Sequence, residues 1–170
     1  MADGIKRLYW DTSCFLCFLN RSELDRRSIC QDVLYNAKDG KLRLYTSTFT
    51  IAEVIYPKRS TLPNPRKLTP QEADRIAAMF RWPWLKKIDV DQRTAFQAVA
   101  LSRDYNMLPA DAIHGATAIV HGLDVLQRWD RDYIKISHLV HVEEPSHISQ
   151  QLPMMPPPRL GPHPDDFSDT

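Results

Sequence analysis

Apolar positions along the chain follow two alternating rhythms. Short apolar or alternating runs are each followed by a longer stretch in which apolar residues recur every three or four positions. "KRLYW" is the first short run and reads as a strand. Thr12 or Ser13 is placed to cap the helix "CFLCFLN". Residues 22–38 open on Ser22 and carry Leu24, Ile29, Val33, Leu34 and Ala37 at helical spacing, before the turn signal Asp39-Gly40. "LRLYTS" reads as a strand and "FTIAEVIY" as a helix stopped by Pro57. "TPQEADRIAAMFRW" reads as a helix capped by Thr69 with Pro70 in its first turn. "WLKKIDV" is a third strand. Two helices follow, "QRTAFQAVALSRDY" and the Ala-rich "PADAIHGATAIVHG", and "DVLQRW" and "HLVHV" close the set as strands.

Strands separated by helices require parallel crossovers, so the expected class is α/β: a three-layer α/β/α sandwich around a mostly parallel sheet. Ligands of such sheets sit at the carboxyl ends of the strands, near the point where the strand order reverses. The pattern stops near Pro145. From Pro145 onward lie seven of the chain's 13 prolines, a composition that buries too little apolar surface to offset its ordering entropy. The expected division is a domain over residues 1–144 and a proline-rich, flexible tail over 145–170.

Composition narrows the class. With 170 residues and 43% apolar content, one domain with a proper core is the simplest organisation. The net charge of +1 offers no global attraction to nucleic acid. The tail, with one Arg and three Asp, carries −2 and leaves +3 on residues 1–144. Nothing at the start reads as a secretory signal, and no run reaches the roughly 18 apolar residues of a membrane helix. Three cysteines do not make a disulfide framework. A reducing, cytoplasmic setting without membrane attachment is expected.

The chemistry-bearing residues are acids placed by this pattern. Asp11 follows the first strand directly. Asp130 follows the fourth, with Asp132 two residues on. Glu53 lies early in the helix after the second strand, and Asp111 lies in the first turn of the Ala-rich helix. Taken singly, each has an ordinary explanation: a turn residue, a surface acid, or a first-turn charge matched to the helix dipole. Glu53 fits that explanation least, because Ile51-Ala52 and Val54-Ile55 surround it and a carboxylate there requires a partner. Together, clustered carboxylates repel until a cation relieves them. An all-oxygen set suits Mg²⁺ or Mn²⁺, which can hold a phosphodiester and activate water.

Rival sites are weaker. Cys14-Phe15-Leu16-Cys17 is formally C-x-x-C, but its greasy centre and flanks favour core packing, and no second pair completes a zinc set. His114 lies one turn from Asp111 on the same helix face and reads as a packed or surface histidine. His138, His141 and His147 show no ligand spacing. For RNA contact, the loop from Pro57 to Lys67 carries Lys58, Arg59, Arg66 and Lys67 without an acid. "FRWPWLKK" interleaves Arg81, Lys86 and Lys87 with Trp82 and Trp84, the tryptophans reading as core or interface residues. A phosphatase of the haloacid dehalogenase type needs a second Asp two positions after Asp11, where Ser13 stands.

Four short motifs in order over residues 6–143 resemble the PIN domain, most closely the VapC-like toxins of toxin–antitoxin pairs. They are "LYWDTSCFL" with Asp11, Thr12 and Ser13; "TSTFTIAEV" with Ser47, Thr50 and Glu53; "DAIHGATA" with Asp111; and "RWDRDY" with Asp130 and Asp132. Arg128 departs from the pattern, since a hydroxyl residue usually stands there and supplies a polar contact near the metal. The resemblance implies a metal-dependent endoribonuclease. Asp11, Glu53, Asp111 and Asp130, with Asp132, would hold one or two Mg²⁺ or Mn²⁺, and Thr12, Ser13 and Ser47 would supply polar support. Water would be the nucleophile and would leave 5′-phosphate and 3′-hydroxyl ends. The same resemblance implies an RNA substrate, a homodimer and a small antitoxin partner. The alternative within the fold is a catalytically silent RNA-binding or assembly module, which loss of the acids would announce; all four are present.

Overall fold

The computed structural model describes residues 4–55 and 68–148. Its centre is a five-stranded sheet in the order β3-β2-β1-β4-β5, with β1 Arg7–Trp10, β2 Arg43–Ser47, β3 Leu85–Ile88, β4 Val125–Gln127 and β5 His141–Glu143. Every pairing is parallel. The helices are α1 Thr12–Leu19, α2 Leu24–Lys38, α3 Thr48–Ile55, α4 Pro70–Met79, α5 Gln92–Tyr105 and α6 Pro109–Val120.

Alternation along the strands sorts the core into two layers. Leu8, Trp10, Leu44 and Val125 face one side, with Cys14, Phe15, Phe18, Val33, Leu34, Val54 and Met79 from α1 to α4. Tyr9 and Leu126 face the other, with Ala98, Leu101, Ala112 and Ala116 from α5 and α6. This is the expected three-layer sandwich, with a sheet that is parallel throughout. The chain builds outward from β1 through β2 to β3, then returns to place β4 on the other side of β1. The reversal therefore falls between β1 and β4, whose carboxyl ends carry Asp11 and Asp130.

Several boundaries differ from the sequence pattern. The cap of α1 is Asp11, whose carboxylate accepts from the Cys14 N–H, rather than Thr12 or Ser13. Helix α2 starts at Leu24 because Ser22 is taken by the Asn20 side chain. Helix α4 has the expected Thr69 cap, completed by Glu72 into a capping box, but ends at Met79 in turns ahead of Pro83. The last strand lies at 141–143 rather than 138–142. A short 3-10 helix, Asp132–Ile136, precedes it where no element is expected. That helix packs closely on α6: a Cβ at Gly115 would stand 2.7 Å from Ile136 Cδ1.

Pro145 is buried, and the chain then reaches α2, where the Ile148 N–H donates to Asp32 at 2.7 Å. The rest of the proline-rich segment, 149–170, lies outside the described residues, as does the basic loop holding Lys58, Arg59, Arg66 and Lys67. No helix among the described residues is long and apolar enough to cross a membrane.

Candidate active site

A cleft of about 430 Å³ opens at the carboxyl end of the sheet, over the reversal in strand order. Its lining includes Asp11, Thr12, Ser13, Glu53, Asp111, His114, Asp130 and Tyr133. Four separate elements thus deliver the four predicted acids to one surface: the β1–α1 junction, α3, α6 and the turn after β4.

Asp11 is held most firmly. It is 4% exposed, and its Oδ1 accepts from the Ser13 hydroxyl at 2.6 Å and the Cys14 N–H at 3.3 Å. Burial nevertheless pushes its carboxyl above the usual range, against the opposing pull of His114 and these hydrogen bonds. Ser13 has a second role, since its Oγ also accepts from the Trp129 N–H at 2.9 Å. The end of β4 is therefore tied to Asp11 through Ser13. The Arg128 side chain is turned to Glu144, at 3.4 Å.

Glu53 is fixed through Oε2, which accepts from the Thr12 hydroxyl and lies 2.7 Å from His114 Nε2. His114 is 2% exposed, and its Nδ1 lies 2.7 Å from the Tyr9 hydroxyl. Its packed environment matches the sequence reading; its bond to a site carboxylate does not follow from that reading. The available signal was its one-turn spacing from Asp111. Ser47 does not line the cleft. It stands at the start of α3, accepting from the Thr50 N–H at 3.4 Å, and so supports Glu53 through its helix.

Asp111 is half-buried and its pKa is pushed up to about 6, first by desolvation and then by the charges of Asp130, Asp132 and Asp11. Asp130 is exposed and accepts from the Asp132 N–H at 3.2 Å. Asp132 does not line the cleft; it contributes charge from the start of the 3-10 helix. Tyr133, the next residue, is fully buried, and its hydroxyl has no hydrogen-bond partner among the described residues.

Among the described residues, no three His, Cys, Asp or Glu side chains stand close enough together to hold a metal ion. The chemistry of the donors nonetheless suits a hard divalent cation. All are carboxylate oxygens, and Asp111 is raised by desolvation and by the like charges of Asp130, Asp132 and Asp11. Mg²⁺ commonly keeps several waters and takes only one or two carboxylates, so a wide acidic cleft is compatible with it.

The competing sites resolve into structure. Cys14 and Cys17 of α1 and Cys30 of α2 are free, buried thiols in one core layer. Trp82 is buried and stacks on Trp84 with ring centroids 4.9 Å apart. Lys86 and Lys87 donate to backbone carbonyls nearby, Lys87 to Leu85 at 2.8 Å.

In sequence, the PIN domain family model matches residues 8–139. No curated protein matches the chain. Among solved structures, the sarcin-ricin loop cleaving toxin VapC20 of Mycobacterium tuberculosis aligns with a TM-score of 0.60 at 16% identity, over 80% of this chain and 98% of its own. VapBC2 from Rickettsia felis, bound to a DNA fragment from its promoter, gives 0.58 at 15% identity, over 81% and 98%. A toxin–antitoxin complex from Klebsiella pneumoniae gives 0.57 at 21% identity, over 83% and 99%. At these identities the likeness is one of fold.

Proposed function

This chain belongs to the PIN domain family, and from that premise we propose that it is a Mg²⁺- or Mn²⁺-dependent endoribonuclease, the toxin of a toxin–antitoxin pair. The observation that carries the proposal is the convergence of Asp11, Glu53, Asp111 and Asp130 on one cleft at the reversal in strand order. The structural relatives support the toxin assignment, since they are a toxin and toxin–antitoxin complexes. A small antitoxin that occludes the acidic cleft, and a homodimer, belong to the same reading.

In this mechanism one or two of Asp11, Asp111 and Asp130 would hold the cation, which keeps waters in the rest of its shell, with Asp132 adding negative charge behind them. When bound, the cation neutralises phosphate oxygens and makes water a stronger nucleophile. Ser13 holds Asp11 in place through Oδ1. Thr12 and His114 fix the Glu53 carboxylate at the cleft, where it accepts the proton released as water attacks the phosphodiester. The products carry 5′-phosphate and 3′-hydroxyl ends.

The test uses total cellular RNA and inhibitor-free protein with Mg²⁺, Mn²⁺ or EDTA, and folded Asp111→Asn as control. New 5′-phosphate ends are mapped by sequencing. Ends that require metal and disappear in the variant are expected, and they would name the substrate as well. Identical ends from parent and variant would remove the catalytic reading and leave the silent RNA-binding module in its place.

A further inference from the structure

Trp129 directly precedes Asp130, and its backbone is tied to the acidic cleft. Its N–H donates to Ser13 Oγ at 2.9 Å, and the Ser13 hydroxyl donates to Asp11 Oδ1 at 2.6 Å. The indole packs, partly buried, against the core layer of α1 to α4. Over its ring, 4.9 Å from the centroid, lies the guanidinium of Arg26, from the first turn of α2. The Arg26 side chain is 54% exposed, with Nη1 lying 3.4 Å from Glu23 Oε2. Its other N–H groups have no partner among the described residues.

Stacking holds a guanidinium by its face and leaves its in-plane N–H groups free for an anion. The cation is thereby fixed relative to Asp11 by the same contacts that fix Asp11 itself. Arg131, between Asp130 and Asp132, is also exposed, but no hydrogen bond or ion pair among the described residues holds its side chain. An RNA strand crossing the cleft presents a phosphate at every nucleotide. The bound metal neutralises one of them, while the remaining carboxylates repel its neighbours, which therefore need cations at the rim. We infer that Arg26, preorganised on Trp129, binds a backbone phosphate of the RNA strand beside the acidic cleft. The inference rests on the ribonuclease reading above and assigns Arg26 to holding substrate, with no part in breaking the bond. Such a contact positions the strand without reading its bases.

The test measures binding of a short, labelled single-stranded RNA of mixed sequence by fluorescence anisotropy, in Mg²⁺ and over a series of salt concentrations. The full chain carries Asp111→Asn so that the strand is not cut. Adding Arg26→Gln is expected to raise the Kd about 3- to 10-fold. It should also lower the slope of log affinity against log salt by about 0.7, the share of one phosphate contact on a single strand. Arg26→Lys keeps the charge and should recover the slope, with an affinity between the two. Lys41→Ala, before β2 at the amino end of the sheet, should change neither quantity. An unchanged slope in Arg26→Gln would overturn the inference while leaving the ribonuclease reading intact. The same reduced slope in Arg26→Lys would also overturn it, because the stack on Trp129 would then serve the fold. An equal drop in Lys41→Ala would do so too, since net charge alone would account for the loss. A chain that binds no RNA, with or without Asp111→Asn, would remove the ribonuclease reading as well.

Discussion

His114 Nε2 lies 2.7 Å from Glu53 Oε2, joining α6 to α3 across 61 residues of sequence. The tautomer with its proton on Nε2 satisfies every partner. Nε2–H donates to Glu53, with the Thr12 oxygen 3.1 Å away, while Nδ1 accepts the Tyr9 O–H. Burial pushes the Tyr9 phenol well above its ordinary range, so it remains a donor. The site carboxylate on α3 is thus oriented by a chain of hydrogen bonds that begins inside β1.

His114→Phe keeps a planar ring in the same space and removes both nitrogens. It leaves a buried phenol and a partly buried carboxylate without a shared partner. Stability should fall by about 2–3 kcal/mol, and cleavage by about 10- to 100-fold through misplacement of Glu53. Urea denaturation and single-turnover cleavage measure the two effects separately. Parental values in both would mean that other contacts hold Glu53.

Asp11→Asn tests the most deeply set acid. Both bonds to Asp11 fall on Oδ1, which an Asn carbonyl oxygen can reproduce toward Ser13 and Cys14. The α1 cap is therefore kept. Burial opposes the native charge, so the metal-free variant should be at least as stable as the parent. Cleavage should fall at least about 10³-fold, the loss expected when a cation worth several kcal/mol is misplaced. Thermal melting beside the RNA assay checks both halves, and a folded variant cutting at the parental rate would take Asp11 out of the chemistry.

The cysteines give the opposite pattern. The Cys14 thiol donates to the Gln127 carbonyl at 3.3 Å, and Cys17 and Cys30 are buried in the same layer. Replacing Cys14 and Cys17 by Ala should lower stability by about 1–2 kcal/mol in total through lost packing. The cleavage rate per folded molecule should not change. A double variant with normal unfolding and no cleavage would place the thiols in the reaction.

Strand positions were legible because buried parallel strands read as short apolar runs, and the acids at their ends follow from the rule for where ligands sit. The α1 cap was ambiguous for a physical reason. Asp11, Thr12 and Ser13 are all good capping types, and the choice depends on which backbone is already extended at the end of β1. The 3-10 helix Asp132–Ile136 has too few turns to show a period, so Tyr133 could not be placed in the cleft from sequence. His114 was visible only as a neighbour of Asp111; Glu53 and Tyr9, its actual contacts, come from other layers of the fold.

Asp111 links the site to pH. Its pKa of about 6 lies above the value of about 3.9 expected in the unfolded chain, so between these values the folded state binds more protons. The stability contributed by that proton is fully present below about pH 4 and is lost as pH rises through about 6. At pH 7 the metal-free protein therefore carries an unfavourable charge. Allowing for solvent screening of a half-buried group, its cost is about 1–2 kcal/mol. Asp111→Asn removes that cost, so the metal-free variant should melt about 3–6 °C above the parent at pH 7, with the difference vanishing near pH 4. Saturating Mg²⁺ should reverse the order, because only the parent gains the full stabilisation of a ligand that binds the folded state. Calorimetric scans from pH 4 to pH 8, with and without Mg²⁺, measure all of this in one series. Curves that coincide at every pH would mean that Asp111 is not under like-charge repulsion, and the cleft would lose its strongest electrostatic argument for a cation.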